Sequence, residues 1–113
     1  MPGISIHVVD VSRGMVASGM RVEVLRGEHL IATGAISSKG LLESNALGAK
    51  LAPGTYEAVF HVAEYYRSQG IDLPKLPFLD VVRYHFGIAQ PEQHYHLPFK
   101  CTPWGYSCFR GGA

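Results

Sequence analysis

The sequence predicts an all-β fold, a β-sandwich of about eight short strands with one short helix. Three observations carry this reading. Runs of five to nine residues alternate apolar and polar side chains, as half-buried strands do. Turn signals rich in Gly and Pro separate them, within a total of 13 Gly and 7 Pro. Charged residues make up only 17% of the chain while 47% is hydrophobic, which suits a packed core and not a disordered chain. At 113 residues the chain makes one domain, 1–113, long enough to close a hydrophobic core without metal or disulfide support.

The elements follow in order. Ile4-Ser5-Ile6-His7-Val8-Val9 reads as a strand with Ile4, Ile6 and Val8 on one face and Ser5, His7 and Val9 on the other, ended by Asp10. Ser12-Arg13-Gly14 is a turn. Arg21–Arg26 alternates with Val22 and Val24 inward, and Gly27 breaks it. His29–Thr33 and Leu41–Glu43 are weaker strand candidates. Leu51-Ala52-Pro53-Gly54 places Pro and Gly where a type II turn favours them. Thr55–Phe60 is a strand, and Val62–Gln69 has helix-compatible composition stopped by Gly70. Pro74 and Pro77 belong to a loop, Phe78–Phe86 is a strand, and Gly87–Pro91 is a turn.

Ten basic and nine acidic residues leave a formal charge of +1, which argues against nucleic acid as the main partner. No apolar run reaches membrane-spanning length, and Met1-Pro2-Gly3 opens no signal peptide, so the expected compartment is the cytoplasm and no membrane partner is expected. The two cysteines, Cys101 and Cys108, read as small half-buried thiols in that setting; a cross-hairpin disulfide is the alternative.

The C-terminal segment carries the chemistry. Within His94–Ala113 two strand-like runs flank the turn signal Thr102-Pro103-Trp104-Gly105, so the segment reads as a hairpin with a slightly long loop. Alternation directs His94, His96, Pro98 and Lys100 to one face, and Tyr95, Leu97, Phe99 and Cys101 to the other. Two histidines and a lysine on one face of an aromatic-rich strand mark a candidate site. A His7-His94-His96 zinc site is conceivable, but no acidic or cysteine ligand accompanies the three on that face, so no metal is expected. His29, His61 and His85 carry no motif and are expected at the surface or in satisfied hydrogen bonds. Ser107 and Cys108 lack the surroundings of a nucleophile elbow.

Ile6-His7-Val8-Val9-Asp10, Leu51-Ala52-Pro53-Gly54-Thr55-Tyr56, the Glu64-Tyr65-Tyr66 helix with Gly70, and the terminal hairpin together resemble the transthyretin family. They resemble most its enzyme branch, the 5-hydroxyisourate hydrolases of urate degradation in purine metabolism. That branch opens with His-Val-Leu-Asp and ends with His-Tyr-His-x-Pro followed by Ser-Pro-Tyr-Gly-Tyr-Ser-Thr-Tyr-Arg-Gly-Ser. This chain ends Thr-Pro-Trp-Gly-Tyr-Ser-Cys-Phe-Arg-Gly-Gly-Ala. The resemblance spans nearly the whole chain and implies a transthyretin-like two-sheet sandwich. It also implies a homotetramer, a dimer of dimers, whose channel holds the sites.

For function, the resemblance implies hydrolysis of a heterocyclic small molecule by water that histidines activate, without a cofactor. His7 and His96 match the branch's two catalytic histidines. Leu41 stands where the branch places an arginine after Asp-Gly, and Gly112, followed by Ala113, stands where it ends on serine. The expected substrate-binding set is therefore Leu41, Lys100, Ser107, Phe109, Arg110 and Gly112, with Pro98 also lining the channel, and the substrate is expected to diverge. Lys100 is the candidate replacement cation. Two other functions remain open: a family member recruited to ring opening or cyclisation in a biosynthetic pathway, and a non-catalytic small-molecule binder like transthyretin.

Overall fold

A computed structural model describes residues 2–112; Met1 and Ala113, at the ends of the two terminal motifs, lie outside the described residues. Two four-stranded sheets face each other. One has the order β2-β1-β7-β8, from β1 (Gly3–Asp10), β2 (Met15–Val16), β7 (His94–Thr102) and β8 (Gly105–Cys108). The other has the order β4-β3-β5-β6, from β3 (Arg21–Arg26), β4 (His29–Ala35), β5 (Gly54–His61) and β6 (Val81–Ile88). The all-β sandwich of eight strands and one helix, α1 (Val62–Ser68), is thus as expected.

The alternation on the two longest strands of the first sheet is borne out. Ile4, Ile6 and Val8 of β1 and Tyr95, Leu97, Phe99 and Cys101 of β7 are buried, while Ser5, His7, His96 and Pro98 are half-buried on the outer face. Across the core Phe99 stacks on Phe60 of β5, ring centroids 3.9 Å apart and nearly parallel, which ties the sheets together at their centre. Val22, Val24, Ala58 and Val82 complete the facing layer.

Helix α1 ends as Gly70 foretold. Gly70 takes φ +77° and its N–H donates to the Arg67 carbonyl, while the Ile71 N–H donates to Tyr66 O, a Schellman closure that needs a residue free of the Cβ penalty. The helix is anchored through Asp10, the one fully buried charged side chain among the described residues. Tyr66 and Tyr65 hydroxyls donate to its carboxylate at 2.7 and 3.0 Å, and Ser12 Oγ donates at 2.6 Å. Burial raises both phenols, Tyr65 to about 12, so both remain donors. The Asp of the His-Val-Val-Asp motif therefore holds the helix against the end of β1.

Five expectations need correction. Leu41–Glu43 is not a strand; only Leu41 makes a bridge, to His7, because the chain then leaves for a 3-10 turn at Asn45–Gly48. Phe78–Asp80 stays outside β6, since the Asp80 carbonyl accepts the N–H groups of Val62 and Ala63 at the start of α1. Gly87 and Ile88 continue β6 opposite Thr55 and Gly54, which moves the turn to Pro91–Gln93. Gly54 opens β5 with φ +151°, far from the value near +80° of a type II turn, and the Arg26 guanidinium lies against it. The two-residue β2 and the 3-10 turn are too short to leave a periodic signal in the sequence. The hairpin loop is tighter than expected, with Thr102 paired to Gly105 around Pro103-Trp104.

Candidate active site: the histidine face of the first sheet

β1 and β7 run parallel and in register, Gly3 beside His94, Ser5 beside His96, His7 beside Pro98 and Val9 beside Lys100. Side chains at every second position share a face, so the pairing sets these residues side by side, two columns one strand spacing apart. A third column is added by β8 and the segment after it: Ser107 pairs with Lys100, and Gly111 bridges to His96. On the other side Leu41 bridges to His7 and Val16 pairs with Val9. His7, His96, Pro98, Lys100, Ser107, Leu41 and Gly111 are thereby brought onto one outer sheet surface. In a single copy that surface is an open wall, with no enclosed cavity among the described residues.

The two histidines matched by motif are held differently. His96 Nδ1 lies 2.6 Å from Ser5 Oγ, and the same hydroxyl lies 2.7 Å from His94 Nε2. His96 Nε2 has no hydrogen-bond partner among the described residues. The proton affinity of His96 is lowered, first by partial burial and then by the nearby rings of His7 and His94. His7 has no ring hydrogen bond among the described residues and is positioned by packing: a Cβ on Gly40 would fall 2.7 Å from His7 Nε2. Gly111 stands in the same relation to His96, where a Cβ would fall 2.9 Å from the ring's Cδ2. Each imidazole thus rests on a stretch of backbone that only glycine leaves open.

The face holds little charge. None of His7, His94 and His96 lies within salt-bridge distance of a carboxylate among the described residues. The position expected for an arginine, immediately beside His7, is filled by the aliphatic Leu41. Lys100 is exposed, with its ammonium 5.8 Å from the centre of the Phe109 ring. Arg110 is turned elsewhere: its guanidinium covers the Tyr95 ring at 4.0 Å and donates to Gln93 Oε1 and the His94 carbonyl. Gly112 is exposed beyond Gly111. His94 and His96 both aim a nitrogen at one serine hydroxyl and not at a shared vacant point, an arrangement built for hydrogen bonding.

The remaining sequence candidates fall away from this face. His61 donates to Glu23 at 2.7 Å and His85 lies 3.1 Å from Glu57, both on the second sheet, and His29 is exposed. Cys101 is buried and Cys108 half-buried; burial pushes their thiols up to about 11 and about 12, which suppresses the reactive thiolate. Sequence reasoning placed Ser5 on the right face but gave it no role, and overlooked Gly40 and Gly111 as supports. The available signal was the shared alternation of Ser5 with His7.

The fold is thus a two-layer sandwich with paired, half-buried histidines on one outer sheet surface. The chain matches the HIUase/Transthyretin family over residues 4–111 and belongs to it. It is 42% identical to 5-hydroxyisourate hydrolase 2 of Rhizobium meliloti, over 96% of this chain and 94% of that one. It is 38% identical to a 5-hydroxyisourate hydrolase of Pseudomonas aeruginosa, over 98% of this chain and 92% of that one. Among solved structures it matches Klebsiella pneumoniae 5-hydroxyisourate hydrolase with a TM-score of 0.82 and 26% identity, over 99% of this chain and all of that one. It also matches an (S)-allantoin synthase with a TM-score of 0.86 and 33% identity; 97% of this chain is covered but only 43% of the synthase.

Proposed function

We propose that this chain is a hydrolase of the 5-hydroxyisourate type that opens a cyclic amide with water activated by His7 and His96. The observation that carries the reading is the imidazole pair itself: half-buried, on one face, free of carboxylates among the described residues, with His96 Nε2 unpartnered and its proton affinity lowered. A neutral imidazole accepts a proton from water as the oxygen attacks the ring carbonyl. The proton then passes to the departing ring nitrogen as the C–N bond breaks. Such assistance contributes about 10²- to 10⁴-fold. Relatives named 5-hydroxyisourate hydrolase, matched nearly end to end, support the same reaction class.

The oxyanion side of the site is where this chain departs. Leu41 beside His7 supplies neither charge nor hydrogen bond, and losing one such donor costs ~3 kcal/mol of transition-state stabilisation. Lys100 supplies the cation in its stead, with Ser107, Phe109 and Gly112 contacting the substrate and Arg110 holding the terminal segment against Tyr95. Because one copy presents only an open wall, the site closes in a cytoplasmic homotetramer, a dimer of dimers, in which two such walls form a channel. Light scattering should give a tetramer; a stable monomer at micromolar concentration refutes this arrangement.

The deciding assay follows the absorbance of freshly generated 5-hydroxyisourate. The protein should accelerate its decay, but less than the Rhizobium meliloti relative does. Leu41→Arg with Gly112→Ser should raise the rate. Equal decay with the parent and with His96→Ala would overturn the proposal. It would turn attention to a recruited reaction, which Leu41 and the likeness to (S)-allantoin synthase favour as the second reading.

A further inference from the structure

We infer that Ser5 and His94 act as positioning residues that fix the tautomer of His96, delivering its Nε2 as the bare, proton-accepting nitrogen. This rests on the hydrolase reading for its catalytic meaning, but the tautomer itself is a property of the fold.

The inference starts at the far end of the chain of contacts. His94 Nδ1 faces the backbone carbonyl of Pro2 at 3.4 Å. The contact is long, yet a carbonyl oxygen only accepts, so a bare nitrogen there would set lone pair against lone pair. Nδ1 of His94 therefore carries the ring proton, and in the neutral imidazole Nε2 is bare. That bare nitrogen lies 2.7 Å from Ser5 Oγ and must accept the serine's one proton. With its O–H directed at His94, Ser5 offers only lone pairs to its second neighbour, His96 Nδ1 at 2.6 Å. His96 Nδ1 must then be the donor, and its Nε2 is left unprotonated and unpartnered among the described residues. Every bond runs in one direction: His96 Nδ1–H to Ser5, Ser5 O–H to His94, His94 Nδ1–H to Pro2 O. Which nitrogen of an imidazole holds the proton is set by the hydrogen bond the other one makes.

The arrangement also survives the proton transfer. When His96 Nε2 takes a proton, Nδ1 still donates to Ser5 and nothing upstream has to turn. The register of β1 against β7 makes this possible, since Ser5 sits directly beside His96 and Gly3, without a side chain, sits beside His94. His7 has no such backing, which makes His96 the ring with a defined base.

Long-range proton–nitrogen NMR correlations of histidine-labelled protein report the tautomer directly and need no substrate. The parent should show His96 with Nδ1 protonated and Nε2 bare. Ser5→Ala should convert His96 to a mixture of tautomers, Ser5→Thr should restore the parent pattern, and His94→Phe should give the same mixture as Ser5→Ala because Ser5 is then free to turn its O–H toward His96. On the hydrolase assay Ser5→Ala should lower kcat about 10- to 100-fold, with KM changed far less and with recovery in Ser5→Thr. The double variant Ser5→Ala/His94→Phe should be no worse than either single one. A parent His96 protonated at Nε2, or a tautomer unmoved by Ser5→Ala, overturns the inference whatever the assay gives. A correct tautomer in a protein that does not hydrolyse 5-hydroxyisourate upholds the relay and removes only the proposed substrate.

Discussion

The two outer sheet faces of this domain both carry histidines, and they use them in opposite ways. On the β4-β3-β5-β6 sheet, His61 has both ring nitrogens occupied, Nε2 donating to Glu23 at 2.7 Å and Nδ1 accepting from Arg21 at 3.3 Å. Arg21 reaches on to Glu64, and Arg83 and His85 share Glu57. Arg21 and Arg83 there each have a carboxylate neighbour, as on an ordinary solvated face. On the β2-β1-β7-β8 sheet the partners are a hydroxyl, a carbonyl and glycine backbone, and nitrogens are left over. A histidine face without acids keeps lone pairs available for a proton; one with acids ties them up.

The largest expected effect separates these faces outright. His7→Ala and His96→Ala should each reduce hydrolysis of 5-hydroxyisourate by about 10²- to 10⁴-fold, the worth of a positioned base. His61→Ala and His85→Ala should leave the rate within about twofold, since they remove only contacts to Glu23 and Glu57 on the other sheet. A comparable loss from His61→Ala would erase the distinction between the faces.

Next comes the glycine backing. Gly111→Ala would bring a methyl within 2.9 Å of both the His96 ring and Pro98, so the ring must move. A displacement on the order of 1 Å costs about 100-fold in rate. Gly40→Ala meets His7 and Val16 at 2.7 Å and adds the strain of φ +83°, so it should lose rate and also ~1–3 kcal/mol of stability in a denaturant titration. Gly111→Ala at parental activity would show that His96 is held by Ser5 alone.

The response to pH sharpens the comparison without a mutation. His96 must be neutral to accept a proton, and its proton affinity lies below the ordinary histidine value of about 6.5. The midpoint of the acid-side loss of activity should therefore lie below about 6.5, as the ring becomes protonated. A midpoint above pH 7 would mean that the essential base has a raised, and not a lowered, affinity.

Much of this contrast was legible in the chain and part of it could not be. Alternation alone placed Ser5, His7, His96 and Lys100 outward and Ile6, Val8, Leu97 and Phe99 inward, because a strand with one buried face has a period that leaves no other choice. The terminal motifs gave the family. The parallel pairing of β1 with β7 was out of reach, since these strands lie about ninety residues apart and no local pattern states which residue stands beside which. Without that register Ser5 is a polar residue on a strand; with it, Ser5 sits between two imidazoles. Asp10 read only as the end of the first strand, and its role lay equally out of reach: it stands three residues from His7 in a motif shared with enzymes, yet it is fully buried under two tyrosines and serves the helix. The supporting glycines Gly40 and Gly111 left no trace because a glycine that clears space for a distant ring is spelled like one that makes a turn.

The smallest expected effect concerns the cation. Arg21 and Arg83 on the charged face are paired with carboxylates, whereas Lys100 has none within salt-bridge distance among the described residues and lies beside the Phe109 ring. An exposed ammonium over an aromatic face gains only about 0.5–1 kcal/mol from it, so the ring does not immobilise the lysine and it remains free to meet a substrate oxygen. Its grip is that of a single point charge, without the planar fork by which arginine holds two acceptors, so it replaces the cation missing at Leu41 only in part. Lys100→Met keeps most of the stem and removes the charge. With 5-hydroxyisourate as substrate it should raise KM and lower kcat/KM by about three- to tenfold, the share of a weak charge-assisted contact, while leaving the thermal midpoint within a degree or two. Placing arginine back beside His7 by Leu41→Arg should make that loss disappear, because the two cations would serve the same oxygen. Full activity in Lys100→Met, alongside inactive His7→Ala and His96→Ala, would assign the lysine to covering carbon on the channel wall and leave the histidines to work without a cation of this face.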